Sequence, residues 1–455
     1  MENHAMEGNQ PPKSIAILAR ALQFRTVSQL PREENDYGEY EQFLSYLKEA
    51  FPVFFRTAEV EHINRYSLLC TLRAPEDRRG LLPVLLLAHY DVVPPGREDA
   101  WDHPPFSGTL TETSVWGRGA VDDKGCLIAM LAAAEELLQR GEQPRRTVVF
   151  ALGHDEEIGG GEGAYLIAQT LAERGERFSF VLDEGLTILA PDVFPLVDRD
   201  LALIGVSEKG HVDLRLRAAG SPGHSSTPPP TTAGGTIARA VSRIEARPFP
   251  ARMTTPVEDF LKTIAPYAGG VKQFFLSRPR RFFPLLKPLL QREPKGNAMV
   301  RTTGAVTMLA GSEKENVLPA EASAVVNCRI LPGETIDSVV RKLKADIANP
   351  EVSVEPIPSL MGNNPLPISD RTGEGFHLLT ELLAELFPRT LAAPSLVLGT
   401  TDSRHYAGLS ENIYRFVPFR LTKERLEAVH GYNEHLPRED FTKAVEFYRA
   451  LLSRL

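Results

Sequence analysis

The chain has 455 residues, a length that suits two or three domains. Apolar residues make up 42% and charged residues 24%, which excludes a disordered or fibrous chain. Lysine and arginine total 51 against 59 acids, and the resulting net charge of −8 argues against a nucleic-acid partner.

The chain opens with the polar stretch MENHAMEGNQPPK, which lacks the apolar core of a signal peptide. No apolar run reaches the length of a membrane span. The expectation is a cytoplasmic protein, or a secreted one where a leader precedes this sequence. Pro12 to Ser28 and Glu39 to Phe51 read as amphipathic helices. Val84 to Ala88 is a short continuous apolar run, as in a strand covered on both faces. Lys124 to Arg140 reads as a helix stopped by Gly141. Thr147 to Gly153 is a second buried strand, Gly161 to Arg174 a helix and Phe178 to Leu182 a third strand. Strands alternating with helices imply an α/β fold with a mostly parallel sheet flanked by helices. The pattern changes near Glu208. His211 to Ala219 alternates like a half-exposed antiparallel strand; Ala305 to Leu309 and Ala322 to Ile330 are further strands, with helices at Thr232 to Arg247 and Ile336 to Ile347. After Pro358 come helix Gly373 to Leu386, strand Ser395 to Leu398 and helix Arg438 to Leu452. The expected domains are therefore 1–208 and 359–455, with an α+β unit, 209–358, inserted between them. Three scattered cysteines, Cys70, Cys126 and Cys328, form no disulfide framework and fit a reducing compartment.

Polar residues gather where the predicted strands end, and open α/β sheets bind ligands at those ends. The first strand runs into His89 and Asp91, the second into His154, Asp155, Glu156 and Glu157, the third into Asp183 and Glu184. Asp122 and Asp123 stand just before a helix. Imidazole with carboxylate suits zinc, and one Asp can bridge two metals that share an activated water. The Glu156–Glu157 pair offers one carboxylate to hold metal and one to carry a proton. Asp91, two residues beyond His89, points to the same side and can orient its imidazole. Taken singly, each feature has a commoner explanation. An HxD is usually loop chemistry, and a Glu-Glu pair is usually a solvated surface. Gly159, Gly160, Gly161 and Gly163 lack a clean dinucleotide fingerprint and let a helix approach closely. Convergence of several acidic turns beside buried strands favours the metal site.

The strings LLLAHYDVVP, WGRGAVDDKG, GHDEEIGG, VLDEG, GSPGHSS, ENVLP, NCRILPG, GTTDSRHY and HGYNEHLP resemble the co-catalytic di-zinc peptidase family M20 of aminoacylase, carboxypeptidase S and bacterial dipeptidases. The resemblance runs from about residue 13 to the end. NAMVRTTGAVTML and NIYRFVPF look closest to its N-fatty-acyl-amino-acid synthase/hydrolase branch. It implies two zinc ions per subunit, with cobalt or manganese suited to the same donors. His89 and Asp183 would hold one ion, Glu157 and His430 the other, and Asp122 would bridge them. Glu156 would be the general base and then acid, and Asp91 would orient His89. The bond after Asp122 would be cis. The inserted unit would be a lid and homodimerisation domain carrying His224, which helps stabilise the oxyanion. Asn316, Arg329 and Thr401 would contact substrate, with the Arg329 guanidinium on a free carboxylate.

The implied reaction is hydrolysis, with reversal allowed, of the amide bond of an N-acyl, and in that branch N-fatty-acyl, amino acid with a free α-carboxylate. Two alternatives stand beside it: a carboxypeptidase or dipeptidase of Gly-X type, and a non-catalytic zinc-dependent carrier of lipidated amino acids. An intact Glu156 argues against the carrier, which has no need of a base. The most individual stretch is Val271 to Arg292, VKQFFLSRPRRFFPLLKPLLQR, with six cations, no acid and several Phe and Leu. Two readings are open for it: contact with a lipid surface or acyl chains, or packing within the inserted unit with snorkelling cations.

Overall fold

Continuous apolar runs become strands covered on both faces. The computed structural model describes residues 12–75, 80–358 and 362–455, so most of the polar start of the chain lies outside the described residues. The residues fall into two units. The first takes the described chain up to Ile204 together with Asp370–Ala392 and Thr401–Leu455; the second takes Gly205–Ser369 and Ala393–Thr400.

In the first unit, Ser67–Leu72, Val84–His89 and Val148–Gly153 are buried at every residue. Both faces meet apolar layers, which is why these runs do not alternate. Val148–Gly153, Val84–His89, Val181–Asp183 and Ile413–Arg415 are neighbours in that order, all parallel. Their C-terminal ends therefore open on one edge. Ser67–Leu72 and then Glu59–Ile63 extend the sheet antiparallel. The sheet is mixed and, around the site, parallel, as the alternation of strands and helices implies. Helix Lys124–Gln139 is buried along most of its length between the sheet and helix Arg438–Arg454. Its one buried acid is accounted for: the Glu135 carboxylate accepts the Val53 and Phe54 amides at 3.2 and 2.7 Å, satisfying the start of helix Pro52–Thr57.

The first helix is shorter than expected. It covers Lys13–Ala21 rather than reaching Ser28. Beyond it Val27 bridges to Val92, the Ser28 amide donates to Val92 O, and the Thr26 hydroxyl donates to Tyr90 O. Pairing with a distant segment overrides local propensity there.

The second unit is built on a four-stranded antiparallel sheet in the order Thr303–Ala310, Glu321–Ile330, Gly210–Ala219, Val352–Pro356. The alternation expected around His211 to Ala219 is realised: Val212, Leu214, Leu216 and Ala218 are buried, while Asp213, Arg215 and Arg217 are half-exposed. Helices Ala233–Ala246 and Ile336–Ile347 cover this face with Ile237, Ile244, Val339 and Leu343. Residues 255–300, for which periodicity gave no element, form short helices at Thr255–Ile264, Gly270–Leu276, Phe283–Leu290 and Pro294–Val300. Pro256, Pro284 and Pro294 sit in the first turns of three of them, where the missing amide costs nothing.

Candidate metal centre

The centre is assembled in the first unit from His89 and Asp183 at the ends of parallel strands, Glu157 just after the parallel strand Val148–Gly153, Asp122 in the loop after the antiparallel strand Ser114–Trp116, and His430 after helix Lys423–Ala428. His89 closes the strand Val84–His89 and is almost fully buried. Its Nε2 lies 3.1 Å from Asp122 Oδ1. Its Nδ1 faces Asp91, 3.1 Å from the backbone oxygen and 3.3 Å from Oδ1. The Asp91 carboxylate also accepts the Glu156 and Glu157 amides, both at 3.1 Å, and the Ser28 hydroxyl at 2.6 Å. Burial opposes its ionisation, but His89 and these donors outweigh that and hold its pKa below the ordinary range. One carboxylate thus sets both the His89 ring and the turn that carries the two glutamates.

Asp122 stands between two imidazoles. Oδ1 faces His89, and Oδ2 lies 3.0 Å from His430 Nε2. The same His430 nitrogen is 3.2 Å from Glu157 Oε1. Asp122, Glu157 and His430 place a ligand atom each within 4.8 Å of one another. The Asp122–Asp123 peptide is cis. The loop that presents Asp122 is pinned by Glu434, whose carboxylate accepts the Gly119, Val121 and Asp122 amides at 3.1, 2.8 and 3.1 Å. Arg118 adds a 2.6 Å ion pair to that carboxylate and donates to Gly431 O at 2.7 Å. The segment bearing His430 and the loop bearing Asp122 are therefore tied by one buried pair. Strand His435–Pro437, paired with Ser114–Trp116, brings them together.

Asp183 ends its strand with Oδ2 accepting the Ser403 amide at 2.8 Å. Its neighbour Glu184 has a carboxyl pushed well up by burial and then by Asp122, Asp183 and Glu156. Burial does the same to Glu156, where Asp402 and Glu157 add to the push and His89 opposes it. Glu157 is raised by burial and by Asp122. His430 is pushed up to about 10 by Asp122 and Glu157. Carboxylates this crowded ionise together only beside compensating positive charge. Glu157 Oε1 is buried against the His430 imidazole. An N/O donor set with this excess of negative charge in a buried place fits divalent ions.

Gly160 is a glycine whose conformation the site requires. It sits at φ +65°, and a Cβ there would lie 2.0 Å from Asp402 Oδ1. Thr401 is buried, its hydroxyl 2.6 Å from Ser403 Oγ, which also accepts from Arg415 Nε at 3.0 Å. Arg404 donates to Thr401 O and Gly159 O, both at 2.8 Å, joining the Thr401 turn to the glycine turn.

The other expected contact residues belong to the second unit. His224 lies in a two-residue pairing of Gly223–His224 with Val317–Leu318, next to Asn316, whose backbone oxygen accepts the Ser225 amide at 3.1 Å. His224 and Asn316 are exposed. Arg329 is half-buried on the strand Glu321–Ile330 and donates to Thr400 Oγ1 at 3.3 Å. Glu434, Arg118 and Arg404 drew no attention as single residues. Each lies inside a string already quoted for the resemblance, the only signal by which they were findable.

The profile of "Peptidase family M20/M25/M40" matches residues 85–454. The chain is 37% identical over 443 residues to a protein of Dictyostelium discoideum described as probable carboxypeptidase S-like 2, covering 96% of this chain and 83% of that one. It is equally 37% identical, over 436 residues, to the mouse N-fatty-acyl-amino acid synthase/hydrolase PM20D1, covering 94% and 85%. Among solved structures, an M20 family metallo-carboxypeptidase from Sulfolobus solfataricus superposes with a TM-score of 0.70 at 18% identity over 97% of this chain and 99% of that one. A Bacillus subtilis protein titled a dinuclear metal binding peptidase from the M20 family gives 0.58 at 14% identity over 97% and 98%.

Proposed function

Because the chain belongs to peptidase family M20/M25/M40, we propose that it is a two-metal hydrolase of N-acyl amino acids, with fatty-acyl chains as the acyl class. The observation that carries this is Asp122, whose two oxygens each face a different histidine at 3.1 and 3.0 Å. A single carboxylate so shared is what a bridging ligand requires. His89 and Asp183 would hold one ion, Glu157 and His430 the other. Glu184 is a second candidate beside Asp183, since Asp122 is the strongest neighbouring charge acting on it. Zinc suits this mix of imidazole and carboxylate, and cobalt or manganese the same donors. The ions supply Lewis acidity towards the carbonyl and a water acidic enough to be deprotonated near neutrality.

Glu156 would accept the proton of the attacking water and pass it to the leaving nitrogen. Burial pushes its carboxyl up, the direction that suits a group serving first as base and then as acid. Asp91 keeps the His89 ring oriented throughout. Arg329, with its planar fork, receives the free α-carboxylate of the amino acid. Asn316 and Thr401 position the amide, and His224 steadies the oxyanion. The fatty-acyl class draws support from the 37% identity to the mouse synthase/hydrolase. The same residues serve condensation when product is removed.

Hydrolysis of an N-acyl amino-acid panel from acetyl to oleoyl, beside Gly-X dipeptides, with and without chelator, tests the reading. Chelator-sensitive preference for long acyl chains is expected. Preference for dipeptides would make the enzyme a carboxypeptidase. Retained metal without turnover on either panel would make it a carrier.

The second unit also provides a homodimer contact in this proposal. Thr303–Ala310 is the outer strand of its sheet, with Met308 and Leu309 64% and 68% exposed. A long apolar edge strand invites pairing with a second copy. Light scattering should give a dimer that Leu309→Lys dissociates; an active monomer in the parent protein would refute it.

A further inference from the structure

The hydrolase chemistry leaves the stretch 271–292 unused. It carries Lys272, Arg278, Arg280, Arg281, Lys287 and Arg292 and no acid, in a chain whose net charge is −8. It folds as two short helices, Gly270–Leu276 and Phe283–Leu290. The second has the sequence FPLLKPLL, yet none of its residues is buried. A helix apolar on nearly every side is ordinarily enclosed by protein or lipid. Phe283, Leu286 and Leu290, at i, i+3 and i+7, form its half-covered inner face. Leu285 and Leu289, at i and i+4, face outwards and are 60% and 58% exposed. On the first helix Val271 and Phe274 are 73% and 53% exposed.

The two helices are held together by aromatic contacts. Phe282 packs on Phe274 and Phe275 with centroids 5.2 and 4.9 Å apart. Arg278 lies 5.4 Å over Phe274 and Arg281 5.9 Å over Phe282. Among the described residues, one of the six cations is in an ion pair, Arg280 with Glu258 at 2.6 Å. Ordinary core packing with snorkelling cations would cover Leu285 and Leu289, and it does not.

We propose that this helical pair is a docking element for an anionic lipid surface: Val271, Phe274, Leu285 and Leu289 enter the headgroup boundary, and the cations around them meet lipid phosphates. Charge selects the partner. An apolar face alone would suit a second copy of the chain, but an acid-free stretch with six cations repels its own copy and is drawn to anionic headgroups. The element works whatever amide the metal centre cleaves, so its test stands apart from that of the hydrolase reading.

The full-length protein is sedimented with vesicles of phosphatidylcholine alone and of phosphatidylcholine with phosphatidylglycerol, at low and high salt. Binding to the anionic vesicles only, weakened by salt, is expected. Neutralising two cations, as Arg281→Gln with Lys287→Gln, should weaken binding roughly 25-fold, about fivefold for each charge near the surface. Leu285→Ser with Leu289→Ser should weaken it at least about tenfold, through apolar area removed from the boundary. Both pairs are exposed, so thermal unfolding and hydrolysis of a short, soluble acyl substrate should be unchanged. No sedimentation with either vesicle, or equal sedimentation with both, overturns the proposal. An oligomer that the leucine variant dissociates, without vesicle binding by the parent, also overturns it and assigns the face to a second copy.

Discussion

Glu434→Gln exchanges one atom in a buried carboxylate and should disturb both the fold and the metal centre. Arg118 and Glu434 have 1% and 0% side-chain exposure and meet at 2.6 Å. Glu434 also receives the amides of Gly119, Val121 and Asp122. A glutamine keeps one acceptor oxygen. If that oxygen serves Val121 and Asp122, the new NH2 is aimed at Gly119 N–H and the Arg118 guanidinium, donors against donors. The guanidinium is then a buried charge without its partner, which costs about 3–5 kcal/mol. The Asp122 loop loses its anchor as well, and residues that orient metal ligands are typically worth about 10–100-fold in affinity. Chemical unfolding of the metal-free protein and calorimetric zinc titration measure the two effects separately. A paired change distinguishes charge from shape: with Arg118→Met added, no stranded cation remains, so the double variant should be more stable than Glu434→Gln alone. Stability within about 1 kcal/mol of the parent, the range of an exposed pair, would refute the reasoning. So would unchanged zinc affinity.

Glu156→Gln should keep its metal and lose roughly 10²–10⁴-fold in kcat/KM, the usual worth of a positioned acid–base group; loss of metal by elemental analysis would show that Glu156 is a ligand instead. Gly160→Ala places a Cβ 2.0 Å from Asp402 Oδ1 at a backbone φ of +65°. It should cost more than the ~1–2 kcal/mol of the left-handed conformation alone, and an unshifted unfolding midpoint would contradict the geometry. Asp440, in the first turn of helix Arg438–Arg454, is pushed up to about 6 by burial, which Arg425 at 3.6 Å only partly offsets. Its folded pKa thus exceeds its unfolded one, the reverse of a salt-bridged acid. At about pH 4 and below there is little penalty; as pH rises to about 6 the unfolded chain ionises first and stability falls, by up to about 3 kcal/mol. Asp440→Asn should therefore raise the unfolding midpoint at pH 7.5 and leave it nearly unchanged at about pH 4. An equal gain at both would refute the assignment.

Much of the architecture was written in local pattern. The continuous run at Val84–His89 and the alternation at Gly210–Ala219 state how many faces of each strand are covered, because side chains alternate across a strand with period two. The ends of such strands announce where polar side chains gather, and His89 and Glu157 were visible there, with Asp122 just ahead of a helix. Resemblance added His430, which no pattern singled out.

What stayed hidden are choices made by contacts across the chain. Helix Lys13–Ala21 ends where it does because Val27 finds Val92. Asp183 and Glu184 are equivalent in the sequence, but adjacent residues of an extended chain point to opposite sides. Pairing with Ile413–Arg415 sends the first carboxylate to the Ser403 amide and leaves its neighbour under the influence of Asp122. Glu434 reads as one more surface acid until folding sets it on Arg118 and three amides far upstream. Phe283–Leu290 shows the converse, since its composition announces a core helix and only the packed chain shows that Leu285 and Leu289 stay exposed. By itself the sequence determined the types of residue, the period of each strand and the chemistry at the strand ends. Partner choice was left to the tertiary structure, because a hydrogen bond or ion pair depends on the position of both its groups, and one-dimensional order specifies only their separation along the chain.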